Sequence, residues 1–339
     1  MRLKTRPKSA QDLVAFSLMW ILFAEERLDI KELCEAVSIR TGGENKPRAA
    51  TLNQIRKLCS SLIREAADGN YLEAAHFTVK EFFNKITKES YPHIAQFCIS
   101  KEHAYSEFSK ACLTYLNFKN FCRPLSSDDL HSDEIEIHHP FYMHAASHWI
   151  LYSAGCWNDA STFELAKQLF TPPMTTNFKL WRKVFTANCS DATEAIDTQG
   201  DSLLHWAAYF SIHELLEWLI ACGQDINLVG ALGTPLSATM SNNHLKDALI
   251  GEYVDFSPFS YYMICDMRLN LEHQQAKACI NTLIKNGART DNVCKYIIRE
   301  KEYTLSFPRP SCFPGMLRYW RWHLLRSGSS TRTSRPGQI

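Results

Sequence analysis

Asp197-Thr198-Gln199-Gly200-Asp201-Ser202-Leu203-Leu204-His205-Trp206-Ala207-Ala208 opens the stretch, ending at Asn227, whose reading decides the fold. Gly200 can take a tight turn where a side chain would clash. Ser202 and His205 stand three residues apart at the head of an apolar run. At that spacing both can bond the backbone at a helix start and lock the turn to the helix. Ala207 and Ala208 are small enough for a neighbouring element to approach closely. After Ser211, the run Glu214-Leu215-Leu216-Glu217-Trp218-Leu219-Ile220 carries a second apolar helix face. Gly223 ends that helix, and Asp225-Ile226-Asn227 closes the stretch.

This order of turn, helix, helix and closing turn resembles an ankyrin repeat, with Ser202 standing for the usual Thr and Leu203 for the usual Pro. A single repeat cannot bury its own faces, so neighbours are required. Gly233-Thr234-Pro235-Leu236 reopens the pattern, and Leu283 to Asp291 closes a later one. Gly287 lies 64 residues after Gly223, close to two periods of about 33, which predicts roughly three repeats, the latter two irregular. Ser257-Pro258-Phe259 is the expected opening of the third, and the stretch from Gly251 to Asn270 departs from the pattern. The resemblance also implies a protein partner, bound by the turn tips and the inner helix. It puts Thr198, Gln199 and Asp201 on a tip, and Tyr209 and Phe210 at the variable end of the inner helix. Packing of Phe210 against a neighbouring repeat or the preceding helices stands as the alternative.

Working toward the N-terminus, helix-start boxes recur: Ser, Thr or Asp followed three residues later by an acid or Gln. They fall at Ser9 with Asp12, Asp29 with Glu32, Thr51 with Gln54, Thr78 with Glu81, and Ser161 with Glu164. Each precedes apolar residues at helical spacing. The first run presents Leu13, Phe16, Trp20 and Phe23 on one face. It is too short to span a bilayer, and it ends in Glu25-Glu26-Arg27 with no small-residue cleavage site. The third helix is predicted over Thr51 to Arg64. Asp68-Gly69-Asn70 marks a turn, and Tyr71 to Phe77 suits a strand. Three helices followed by strand-like chain is the outline of a winged-helix domain. Further helices are expected over Glu102 to Phe121, from Pro140 onward, and over Phe178 to Phe185, with a break at Thr171-Pro172-Pro173.

The segments before the repeats resemble the regulatory region that follows the NACHT module in fungal NACHT–ankyrin proteins, part of the NOD-like STAND group. The resemblance rests on Phe16 to Ile39, on His76-Phe77-Thr78-Val79-Lys80-Glu81-Phe82-Phe83, on Ala111-Cys112-Leu113-Thr114-Tyr115-Leu116, and on Pro140 to Trp149. These blocks follow the family's order, and the match covers residues 10 to 295. Met143-His144 departs from it where the family has Tyr. The chain carries no G-x-x-x-x-G-K-[ST] loop, and Thr41-Gly42-Gly43-Glu44-Asn45-Lys46 lacks the second glycine and the Lys-Ser/Thr pair that hold phosphate and magnesium. Nucleotide switching is therefore not implied. A truncated gene product, a partial gene and a stand-alone regulator all fit the resemblance.

Composition narrows the chemistry. Thirty-seven Lys and Arg against 36 Asp and Glu leave a formal charge of +1, which exerts no strong pull on nucleic acid or anionic lipid. Twelve cysteines are scattered with no C-x-x-C pair. Several, such as Cys34, Cys59, Cys112 and Cys222, sit in apolar helical patterns as small hydrophobes, which implies reduced thiols in the cytoplasm or nucleus. His144 and His148 have the i, i+4 spacing of a zinc pair, but the sequence places no third ligand, so ordinary helix positions beside Trp149 are the expectation. His138-His139 is expected to be solvated, and His76 to be a structural contact. No nucleophile or metalloprotease motif appears, so an enzyme is not expected, nor any cofactor or metal. The competing function is nucleic-acid binding through the winged helix, where Arg48, Arg56, Lys57 and Arg64 would meet phosphates. Glu65 and Asp68 argue against it.

The sequence thus predicts a mostly α chain: a tail over 1–9, a winged-helix-like domain over 10–88, a helical connector over 89–190 and a short ankyrin stack over 191–295. A partly disordered extension would follow over 296–339. The expected role is a scaffold or sensor that binds a protein.

Overall fold

The computed structural model describes residues 7–39, 52–87, 89–91, 94, 97–121, 135, 137–189, 200–239, 271–290, 294–298 and 301–305. The first apolar run forms α1 (Lys8–Phe23). Ser9, predicted to open it with Asp12, lies inside the first turn, and Asp12 pairs with Lys8 at 3.2 Å instead. The buried stripe also differs from the predicted one. Val14, Ser17, Leu18, Trp20 and Leu22 are enclosed, whereas Leu13, Phe16 and Phe23 are only partly covered. The reason is that α1 is gripped from several sides, by α2 (Ile30–Ser38), α3 (Leu52–Cys59) and α5 (Lys101–Leu116).

The Asp29–Glu32 box forms as predicted at the head of α2. Glu32 N–H donates to Asp29 Oδ1 at 2.8 Å, and Asp29 N–H donates to Glu32 Oε2 at 2.7 Å. The third helix stops at Cys59 rather than continuing to Arg64. Ser60 turns at φ +30°, a 3-10 turn covers Ser60–Leu62, and the chain leaves as β1 (Ile63–Glu65). β1 pairs antiparallel with β2 (Leu72–Ala74), Ile63 opposite Ala74 and Glu65 opposite Leu72. The hairpin gives the backbone of Ile63 a ladder partner while its side chain enters the core with Leu72. Gly69 makes the connecting turn at φ +73°, with Asn70 N–H donating to Asp68 Oδ1 at 3.0 Å. Asp29 bridges Tyr71, which fixes the hairpin to the start of α2. α4 (Phe77–Lys85) is capped by His76, whose Nδ1 accepts from Thr78 N–H at 3.3 Å, so Thr78 is not the cap.

α6 (Phe141–Ser153) is the central helix: every residue except Met143 is buried. A helix apolar on all faces belongs inside a core. Its first free N–H, on Phe141, donates to Glu35 Oε2 of α2 at 3.1 Å, an acid placed at a helix N-terminus by a distant element. Ser109 and Ser153 hydroxyls meet at 2.6 Å where α5 and α6 lie against each other. Trp20 of α1 stacks on Phe108 at 3.8 Å and meets Phe141 and Tyr152 edge-on. The core is thus continuous across residue 88.

α7 (Ala160–Leu169) begins on Asp159, which accepts from Ser161 N–H at 3.0 Å and displaces the predicted Ser161 cap. α8 (Thr176–Cys189) follows the double proline. α9 (Leu203–Tyr209), α10 (His213–Ala221) and α11 (Leu271–Lys285) follow, with a further helical start at 235–239 between α10 and α11. β3 (Cys294–Ile298) and β4 (Lys301–Leu305) pair antiparallel, straddling the position where the predicted stack ends and the extension begins. The molecule is mostly helical. Thr41 to Lys46, Thr51, Ser257 to Phe259 and residues 306–339 of the expected extension lie outside the described residues.

Candidate functional site

The helix pair α9–α10 is stitched to its neighbours by side chains that reach backbone groups of the next unit. Ser202 N–H and hydroxyl converge on Nδ1 of His205 at 3.0 and 2.9 Å. The opposite nitrogen, Nε2, donates to the Gly233 carbonyl at 2.9 Å. Both ring nitrogens are thereby engaged by a neutral imidazole. Burial holds its pKa below the usual value despite the bond to Gly233. Asp201 Oδ1 accepts from Leu232 N–H at 3.0 Å. Gly230 and Gly233 bridge each other, and Gly200, at φ +85°, turns directly beside Gly230. One turn therefore sits on the next.

The following helix starts as the sequence predicts. Thr234 Oγ1 accepts from Ser237 N–H at 3.2 Å, with Pro235 at the first helical position. The far side of the pair is tied by Asn227, which donates to Gly287 O at 3.0 Å and accepts from Arg289 N–H at 2.7 Å. His213 meets Thr282 at 2.9 Å, and α10 packs directly on α11. Residues 240–270, where the sequence expects the rest of the second repeat and the opening of the third, lie outside the described residues.

The sequence-predicted contact residues separate into three groups. Thr198 and Gln199 lie outside the described residues. Asp201, predicted on an exposed tip, is buried at 4 % exposure because its carboxylate turns inward to the second turn. Phe210, predicted at the variable end, is buried among Trp181, Phe185 and Trp206. It packs against α8, the alternative that the sequence left open. Tyr209 is half-buried beside it. The exposed apolar residues at a tip are ones that the sequence reading passed over: Leu228 at 39 % and Val229 at 66 %. An apolar pair between Asn227 and Gly230, where turns are normally polar, is the signal that marks them.

A second cluster lies inside the helical part. His144 and His148 stack at 4.2 Å with 11° between their planes. His148 Nδ1 donates to the His144 carbonyl at 3.2 Å, which leaves Nε2 as a lone-pair donor. That Nε2 is buried, has no hydrogen-bond partner among the described residues, and lies 3.3 Å from Glu26 Oε2. His144 Nε2 meets the Tyr152 hydroxyl at 3.1 Å. Burial dominates the charge states. It holds His144 well below its ordinary value, draws His148 down to about 4, and raises Glu26. Close as the carboxylate is, His148 is neutral at neutral pH, so the contact is not an ion pair. One ring nitrogen from each histidine and a Glu26 oxygen fall within 4.8 Å of one another. Glu26, from the turn after α1, is the third ligand type that the sequence did not place.

Other expectations resolve individually. His76 is a helix cap, as noted above. His139 packs edge-on against Phe121, so it is not fully solvated, whereas His138 is exposed. Cys34, Cys59 and Cys112 are buried, with the Cys59 thiol pushed up to about 12, but Cys222 is exposed. In the predicted reader helix, Arg56 pairs with Glu65, and Arg64 of β1 pairs with Glu73 at 2.8 Å. Lys57 is exposed, and Arg48 lies outside the described residues. Among the described residues no helix is long and apolar enough to cross a membrane. Compared with known proteins, the chain is matched by no family model, no curated protein and no solved structure.

Proposed function

We propose that the chain is a protein-binding scaffold, in which α9, α10 and the units after them act as a short ankyrin-type stack carried on a helical regulatory arm. The observation that carries this reading is the ladder of side-chain-to-backbone bonds: Asp201 to Leu232, His205 to Gly233, and Asn227 to Gly287 and Arg289. Such bonds set consecutive helix pairs in register, as a repeat array requires. Leu228 and Val229 then project from a turn tip, the part of an ankyrin-type stack that meets partners. The order of α1, α2, α3, β1 and β2, with Asp29 bridging Tyr71, supports the reading of the first segment as a winged helix. Together with the resemblance to fungal NACHT–ankyrin proteins, this favours an intracellular regulator whose ligand is a protein. Arg56 and Arg64 speak against a nucleic-acid role, since neighbouring acids already occupy both.

The test is capture by the tagged full chain from a lysate of its own cells, compared with a Leu228→Asp, Val229→Asp variant. The variant should lose the proteins that the wild type retains, while its far-UV circular dichroism is unchanged. Retention of the same proteins at the same yield would remove the turn tip from the account.

A further inference from the structure

We infer that Glu26, His144 and His148 form a binding site for a divalent transition metal, zinc by the nature of its ligands, which staples the end of α1 to the central helix α6. Two imidazoles and one carboxylate are a common zinc ligand set, and the i, i+4 spacing delivers both rings from one helix face. The geometry adds three features that spacing alone does not. The first is tautomer control. His148 commits Nδ1–H to the His144 carbonyl, the arrangement by which metal-binding histidines hold their other nitrogen ready as a ligand.

The second feature is a buried lone pair with no donor to accept from among the described residues. His148 is 1 % exposed, and its Nε2 has no hydrogen-bond partner among the described residues. A buried polar atom in that condition costs about 1–3 kcal/mol unless something satisfies it. Glu26 cannot do so as a carboxylate, because two acceptors face each other; a cation between them answers both. The third feature is distance. Two ligands on a tetrahedral zinc stand roughly 3.3 Å apart, given bonds of about 2.0–2.1 Å. His148 Nε2 and Glu26 Oε2 are separated by 3.3 Å.

His144 completes the set by tilting from its parallel stack, with Tyr152 as its hydrogen-bond partner outside the metal. The Glu26 side chain is 33 % exposed, so the cation arrives from that rim, and water fills the remaining coordination. Glu26 lies beyond the end of α1 and the histidines lie on α6, so the bound metal adds a cross-link to the aromatic packing of Trp20 and the bond between the Tyr152 hydroxyl and the Glu25 backbone.

The experiment uses the full chain, stripped with a chelator and kept reduced. Zinc is titrated against a competing chelator, and cobalt serves as a spectroscopic stand-in. One equivalent of zinc should bind and raise the melting temperature. Bound cobalt should show visible d–d bands without the near-ultraviolet charge-transfer band of a thiolate ligand. Glu26→Gln, a change at the partly exposed rim, should weaken zinc by at least about tenfold, since even loss of an outer partner costs about 10–100-fold. His148→Gln should abolish it, and Cys222→Ser should leave it unchanged. Zinc binding that survives both Glu26→Gln and His148→Gln would overturn the proposal. So would a folded wild type that binds no zinc, or a cobalt spectrum dominated by thiolate.

Discussion

His205 and His148 are both buried imidazoles, and they differ in what the second nitrogen meets. His205 accepts at one nitrogen and donates at the other, so its chemistry is used up in joining two turns. His148 donates once and turns an unpartnered nitrogen toward Glu26. That difference has a consequence in pH. Folding lowers the His148 pKa from its ordinary 6.5 to about 4, so protons reach the unfolded chain first as pH falls. Its contribution is complete above pH 6.5 and is lost as pH falls toward 4, by roughly 3 kcal/mol. His144 acts in the same direction, and Glu26, whose pKa is raised, opposes it. Urea midpoints measured from pH 7 to pH 4 without metal should fall less steeply for His148→Gln than for the wild type; equal slopes would contradict the assignment. Gly230 makes a steric prediction. A Cβ there would lie 2.9 Å from the Asp201 Cα and backbone N. Gly230→Ala should therefore cost about 1–3 kcal/mol in chemical denaturation, as overpacking does. At this scale the sequence exposes the role of His205, because Ser202 stands three residues before it. It hides the Glu26 cluster, because Glu26 joins the histidines only when α1 docks on α6.

Among the elements, α11 depends on its neighbour for position. Asn227→Ala removes both side-chain bonds to the Gly287–Arg289 turn and should cost about 1–2 kcal/mol. The loss should be local: amides of α11 should exchange faster, while those of α5 and α6 keep their rates. Uniform acceleration would show that α11 is not a separable unit. Trp181 on α8 ties α9 to α6, donating to the Ala146 carbonyl at 3.1 Å and packing on Trp149, Trp206 and Phe210. Trp181→Ala should cost roughly 3–5 kcal/mol, read as a shift in the urea midpoint. Helix positions are largely legible in the sequence, but their caps less so. Asp29 caps as predicted, whereas His76 and Asp159 take the place of Thr78 and Ser161 because each precedes its rival by two residues with a usable acceptor. β1 is hidden because Leu62-Ile63 suits a helix or a strand equally, and the pairing with β2 decides between them.

In the whole molecule, one core runs from α1 to α11. Aromatic contacts continue from Trp20 and Phe141 on one side, and from Trp149 through Trp181 to Trp206 and Phe210 on the other. The turn tip at Leu228 and Val229 is therefore presented by a packed body rather than by a lone repeat. α3 and the β1–β2 hairpin present a different surface, the one that a nucleic-acid reader would use. The central claim is that the partner is a protein met at the turn tip, and hydrogen–deuterium exchange on the captured complex addresses it most directly. The account predicts slower exchange over residues 226–234 and near Tyr209 when the partner is bound, with α3 and β1–β2 unchanged. Slowing confined to α3 and β1–β2, or slowing produced there by DNA alone, would contradict it.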